Sequence, residues 1–368
     1  MKSALLIYRV DQNDDANLGV INKMNGQADA LKNLGFNVDK VVCQGNHVLF
    51  NDERIGSTTG LGKHWLKWKF FSFIERRNLD HYDLYLVRYP LSTAAFISWL
   101  SSINKKHPES VVLIDMPTYP YDAEWKGPYG TMVLAIDRFY RTRIKRFVSN
   151  VLHSGKERSI FGIPVLHMSN GINTTELQLR QPKSHKGIHL LAVGKWQFWH
   201  GLDRLLKGIR SYNPEAETIS LDIVGEGPEI AKLKKLALSL GICNNVSFKG
   251  VLKGAELDKL FDKADIGIGT LGIHRKNVPV DCSLKHREYI ARGLPFILSG
   301  EDPDLEPTPD FCLKVKGDEN EIDLKDVVSF SKRASGENIT HAMREYAEQK
   351  LTWTQKLSVV LANAGIEQ

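Results

Sequence analysis

Short apolar runs alternate with stretches of helical period along this chain, and the alternation happens twice. SALLIYRV, NVDKVVC, YDLYLVRY and SVVLIDM read as strands, with helices over 22–34 and 93–104 between them. The pattern breaks at RQPKSHKG (180–187), which reads as a linker, and then restarts. IHLLAVG, a helix from about Leu202, TISLDIVG, a helix over 228–240, NVSFKG, another helix and ADIGIGT follow in order. Strand–helix alternation builds parallel sheets. A chain of 368 residues also exceeds the size at which one core keeps growing. The expected fold class is therefore α/β, with two doubly wound domains facing a cleft, one over 1–170 and one over 171–351. The tail from Glu337 reads as helical, and its last part, about 352–368, is expected to pack back onto the first domain. Ligands of such sheets bind beyond the C-terminal ends of the strands.

Composition narrows the function classes. A hydrophobic share of 42% and a charged share of 25% are those of an ordinary soluble protein, and no apolar run is long enough to span a bilayer. The start, MKSALLIYRV, has too short an apolar core for a secretory signal. Cys43, Cys243, Cys282 and Cys312 are far apart and in no metal-ligand spacing. Free thiols in a reducing cytoplasm are expected, and no zinc site. The net charge of +6 lies wholly in the first half: residues 1–168 hold 22 Lys+Arg against 16 Asp+Glu, the rest 27 against 27. That excess suits membrane headgroups, a phosphorylated lipid or nucleic acid, though scatter alone also produces it. GKHWLKWKFFSFIERR (62–77) is basic and aromatic, and RFYRTRIKRF (138–147) reads as a second basic helix. They suit peripheral attachment to an anionic leaflet. The first fits a partly buried helix about as well, because its apolar residues spread around the wheel. No nucleic-acid-binding pattern is present, so nucleic acid is not expected as a partner.

Two patterns mislead. GIGTLG (267–272) matches the dinucleotide fingerprint, but the next helix is expected only from about Ser283, so a dehydrogenase trails far behind. Asp302 and Asp304 in EDPDL look like a metal clamp, yet Pro303 and Pro307 argue for a surface turn.

Four pieces in order carry the chemistry: VGKWQFWHG (193–201), LDIVGEGPEIAKLKKLALSLGICNNVSFKG (221–250), ADIGIGT (264–270) and SLKHREYIARGLPFI (283–297). In this order and spacing they resemble the retaining glycosyltransferases of family 4, of GT-B fold. The resemblance covers roughly 186–300, with SNGIN (169–173) matching an interdomain segment. NLGVINKMNGQADALKNLGF (17–36) and LIDMPTYPYDAEW (113–125) match more weakly, the latter a loop of polysaccharide-building members. The resemblance implies transfer of a hexose from a nucleotide diphosphate sugar, a UDP-sugar favoured, to a carbohydrate or lipid-linked oligosaccharide in exopolysaccharide, capsule or envelope synthesis. It implies no metal and no other cofactor. Lys195, His200 and Lys285 would hold the diphosphate. Glu288 would accept from the ribose hydroxyls, or else merely pair with Lys285 or Arg292 along its helix. Gly19, Gly225, Val251 and Leu284 complete the expected donor set.

The pattern departs from the family in two places. The family's first glutamate falls on Val280; Asp281 is expected either to replace it as a catalytic group or to cap the helix, as Ser283 also could. A lysine is replaced by His200, expected to be catalytic through its charge or else to contact only backbone. On the acceptor side, Asp115 is expected as a catalytic residue that orients the acceptor or touches the sugar, or else merely caps a loop. Arg88, Tyr119, Tyr121, Asp122 and Glu124 would line that side. The departures leave open a non-catalytic GT-B protein that partners an active transferase.

Overall fold

The computed structural model describes residues 1–14, 17–59, 63–77, 79, 81–122, 125, 127–212, 217–276 and 279–366. It divides into two compact units, one of 1–169 with 353–368 and one of 170–352.

In the first unit the elements run β1 (Lys2–Asp11), α1 (Leu18–Asn33), β2 (Phe36–Gln44), β3 (His47–Phe50), β4 (Glu53–Ser57), α2 (Lys63–Arg77), β5 (Leu84–Arg88), α3 (Ala94–Lys106), β6 (Val111–Asp115), α4 (Gly127–Arg141), β7 (Asn150–His153), β8 (Ser159–Ile160) and β9 (Ile163–His167). The sheet order is β4-β3-β2-β1-β5-β6-β7-β9-β8, and the six strands from β2 to β9 within it are parallel. Successive residues of β1 face opposite sides of the sheet. Leu5 and Ile7 join the core under α2, α3 and α4, together with Phe70, Phe71, Phe96 and Trp99. The helix α2 is thus a packed helix: Leu66, Lys67, Phe70, Phe71 and Ile74 are buried. The antiparallel extension β3–β4 was not foreseen, because its polar-rich run NDERIGS carries no strand pattern. Nor does 138–147 form one helix: α4 ends at Arg141 and a 3-10 turn covers Ile144–Arg146.

The second unit runs β10 (Ile188–Val193), α5 (Leu202–Ser211), β11 (Ile219–Val224), α6 (Ile230–Ser239), β12 (Val246–Gly250), α7 (Ala255–Lys263), β13 (Ile266–Ile268), α8 (Leu284–Arg292), β14 (Phe296–Leu298), β15 (Cys312–Lys314), α9 (Leu324–Arg333) and α10 (Glu337–Tyr346). Its sheet is wholly parallel, in the order β12-β11-β10-β13-β14-β15. The last helix, α11 (Trp353–Asn363), belongs to the first unit. There the bare backbone of Gly26 on α1 makes room for Trp353, whose ring a Cβ would overlap. No helix among the described residues is long and apolar enough to cross a membrane.

Candidate functional site

In each sheet the strand order reverses beside its first strand, between β1 and β5 and between β10 and β13. Crevices at such points are where open parallel sheets bind ligands. In the second unit the loops leaving β10 and β13 are stitched together, Leu271 N–H donating to the His200 carbonyl at 2.9 Å. Gly201, at φ +67°, leaves so little space that a Cβ would lie 2.7 Å from the Gly272 nitrogen. Gly272 of GIGTLG therefore serves backbone contact, and a 3-10 turn (Ile273–Lys276) rather than an α-helix follows it. That removes the dinucleotide reading. Gly225, at φ +110°, sits against Gly194, whose carbonyl a Cβ would overlap.

Trp196, the residue after Lys195, is wholly buried, and its Nε1–H donates to the Val224 carbonyl at 3.0 Å. The His200 ring stands 5.3 Å from it at 83°, and the Lys285 Nζ lies 5.4 Å from its centre. One indole thus gathers His200 and Lys285, while Lys195 beside it is exposed. The Lys285 ammonium is enclosed without a hydrogen-bond partner, and burial pushes its pKa down to about 8 against the pull of Asp281.

The first turn of α8 concentrates such groups. Of the twelve buried side-chain polar atoms without a hydrogen-bond partner among the described residues, Lys285 Nζ lies there with Ser283 Oγ at the cap, Asp281 Oδ2 comes just before the helix and Ser299 Oγ follows β14, while His286 Nδ1 faces Asp302 Oδ2 at 3.8 Å. Buried polar atoms are almost always hydrogen-bonded, so a cluster of exceptions beside free helix N–H groups marks a place built for a polar ligand. Leu284 opens that helix, and Ser283 is the N-cap residue but makes no capping bond. One turn on, Glu288 Oε1 accepts from Arg292 Nε at 2.9 Å, and Arg292 also holds Asp258 at 2.7 Å. The intrahelical pair exists, then, but it engages one oxygen and steadies the carboxylate.

Residues 174–299 match the model of the family described as glycosyl transferases group 1. Over that stretch the chain is similar to group 1 glycosyltransferases. Its fold is shared over nearly the whole length. The Anabaena protein HepE, solved in complex with UDP, is 15% identical at a TM-score of 0.60, with 99% of this chain and 100% of that one covered. Sucrose-phosphate synthase from Thermosynechococcus elongatus is 14% identical at 0.64, with 99% of each covered. The lipopolysaccharide outer core galactosyltransferase WaaB is 13% identical at 0.58, again with 99% of each covered. No curated protein matches. The fold is the GT-B fold of glycosyltransferases.

Within the second unit several expectations need correction. His200 is not a second cation: its Nδ1 accepts from Gln197 N–H at 3.0 Å, and burial beside Lys285 and Lys276 pushes its pKa down to about 2. It is neutral at physiological pH and contributes at most an Nε2–H. Val280 pairs as a parallel bridge with Glu301, and Asp281 N–H donates to the Glu301 carbonyl at 2.9 Å. The N-cap position of α8 is Ser283, not Asp281. The Asp281 Oδ2 is buried 3.9 Å from His286 Nε2. Val251 is exposed just beyond β12. Asp302 and Asp304 form neither a metal clamp nor a simple surface turn: buried Arg287 grips Asp302 at 2.6 and 2.9 Å and Asp304 at 2.5 Å. Arg287 and Trp196 escaped the sequence reading, since a lone arginine or tryptophan carries no signal until its neighbours are known.

In the first unit the expected acceptor residues divide. Asp115, at the end of β6, is buried and bound to Lys23 at 2.9 Å, with Arg88 3.9 Å away and Tyr8 O–H donating at 3.4 Å. It is the centre of a buried polar cluster, and Lys23 was not foreseen. Tyr121 O–H donates to buried Asp137 at 2.5 Å, as Tyr89 does at 2.7 Å, so neither hydroxyl is free for an acceptor. Asp122 is held by Arg138 at 2.6 Å. Tyr119 packs among Tyr121, His153 and Phe161. Gly19 lies exposed in the first turn of α1. Glu124 is outside the described residues. The one group among them able to hold a metal ion, His81, His107 and Glu109, sits before β5 and β6, at the end of the sheet away from the ligand crevice.

Proposed function

We propose that the chain is an active, retaining glycosyltransferase that moves a hexose from a nucleotide diphosphate sugar to a carbohydrate or lipid-linked acceptor in the building of an envelope polysaccharide. The observation that carries the donor site is the set of unpartnered polar atoms at the start of α8, with the enclosed ammonium of Lys285 among them. The diphosphate supplies what these groups lack: negative oxygens for Lys285, Ser283 and the helix N–H groups, with Lys195 reaching in from solvent. Preorganised charge of this kind stabilises a leaving diphosphate without a metal. His200 would add a neutral Nε2–H, and Glu288 would accept from the ribose hydroxyls with its second oxygen. Asp281 would meet the donor sugar in place of the family glutamate. A UDP-sugar is favoured because HepE, of the same fold, was solved in complex with UDP-glucose. The first unit, with Arg88 beside Asp115, would take the acceptor, and the enzyme would work on the cytoplasmic face of the membrane.

A second reading is favoured by one observation, the strand pairing that occupies Val280 where the family has a carboxylate. It makes the chain a non-catalytic partner that binds nucleotide without turnover. Incubation with UDP-glucose and other UDP-sugars, with and without a chelator, separates the two. Release of UDP that persists in chelator and is lost in Lys285→Met supports the enzyme. UDP binding with no release from any donor sugar supports the partner.

A further inference from the structure

The helix α4 presents a face that the account of the donor site does not use. Tyr129, Met132 and Phe139 are 40%, 46% and 59% exposed, and Ile136 between them is half-buried. Their spacing of three, four and three residues places them in one stripe along the helix. The opposite side of α4, through Gly130, Val133, Leu134 and Asp137, is buried in the first unit. An exposed stripe of large apolar residues is unusual on a protein that works free in water.

Charge decides what covers it. From Gly127 to Lys156 the sequence holds six Lys and Arg and one acid, Asp137, which is fully buried. Arg138 and Arg141 are engaged by Asp122. Arg143, Lys145 and Arg146 are exposed, and none takes part in an ion pair among the described residues. The Arg143 guanidinium lies 4.3 Å over Phe139 and 5.2 Å over Tyr140, its charge outward beside the stripe. We propose that this stripe, with the basic turn behind it, docks the first unit on an anionic lipid surface, the aromatic and Met side chains entering the interface and Arg143, Lys145 and Arg146 meeting headgroup phosphates. The proposal deepens the lipid-linked-acceptor reading and rests on it: a transferase whose acceptor is anchored in a bilayer must sit at that bilayer. It also moves the attachment away from α2, where Trp65 is exposed but the remaining aromatic residues pack inward.

Co-sedimentation of the full chain with vesicles tests this. Vesicles of phosphatidylcholine alone are compared with vesicles containing phosphatidylglycerol, at low and high salt. The wild type binds the anionic vesicles, and more weakly as salt rises. Met132→Asp with Phe139→Asp, and separately Arg143→Glu with Lys145→Glu, each lower that binding at least tenfold. All four positions are exposed, so circular dichroism and UDP binding stay unchanged and exclude misfolding. Equal binding to both vesicle types, or anionic binding that survives both double variants, overturns the proposal. So does a concentration-dependent dimer that Phe139→Asp dissolves, because a second copy would then cover the face. UDP affinity and turnover are read separately, so failure of the donor-site reading is distinguishable from failure of this one.

Discussion

The Lys285 ammonium stands 5.4 Å from the centre of the Trp196 ring, enclosed and without a hydrogen-bond partner. A cation over an indole is attracted to the ring face, but that does not replace lost hydration. Burial accordingly brings its pKa down to about 8. A diphosphate favours the charged form, so UDP affinity is expected to fall as pH rises through about 8 and into the range where free Lys285 is neutral. In Lys285→Arg, whose guanidinium stays charged, the decline is absent. Calorimetry from pH 6.5 to 9.5 checks both profiles, and parallel curves contradict the assignment.

His200 gives the opposite expectation. Its folded pKa lies far below the ordinary 6.5, so the unfolded state takes up the proton first, and stability falls as pH drops below about 6.5. Denaturant melts at pH 7 and pH 5 should show that loss shrinking in His200→Gln. UDP affinity of the wild type between pH 6 and 7 stays flat at this residue. A sharp rise in affinity towards pH 6 that vanishes in His200→Gln would restore the charge role.

Glu288 is steadied by Arg292 and has a second oxygen outside that pair. If this oxygen meets the ribose, Glu288→Ala removes a charge-assisted bond of about 1.5–3 kcal/mol, roughly 10- to 100-fold in affinity. The loss should be smaller for 2′-deoxy-UDP than for UDP. An equal loss for both ligands places the carboxylate elsewhere.

Arg287 joins Asp302, Asp304 and the Asn170 carbonyl, and both it and Asp302 are fully buried. Arg287→Ala strands a buried carboxylate and is expected to destabilise the second unit by about 3–5 kcal/mol. Arg287 holds the Asp302 carboxyl well below the usual carboxylate range. The stability from this pair is therefore present above about pH 4 and lost as pH falls below it. Urea melts of wild type and variant should lie closer together at pH 3.5 than at pH 7, without meeting there.

How much of this was legible follows from what each pattern depends on. Runs such as IHLLAV and ISLDIV are local, and their alternation with helices was enough for two parallel sheets. Lys285 and Glu288 share one helix face, a matter of spacing alone. Trp196, Lys23 and Arg287 act through partners tens to more than a hundred residues away, so no local pattern announces them. Asp137 shows why Tyr121 was misplaced: an acid on the buried face of α4 captures the hydroxyl, and the capture depends on packing. Of the two readings of His200, the backbone contact fits and the charge does not, for a similar reason. Its type suggests a titrating cation, and only its enclosure beside Lys285 keeps it neutral.

The most direct test of the central claim is calorimetric titration of UDP, GDP, dTDP, ADP and CMP into wild type and Lys285→Met. The account predicts clear binding of one diphosphate, UDP favoured, reduced at least tenfold in the variant while the variant's melting temperature is maintained or raised by loss of a buried charge. Binding that is equally strong in Lys285→Met, or no binding of any nucleotide by folded wild type, would contradict a donor site at the start of α8.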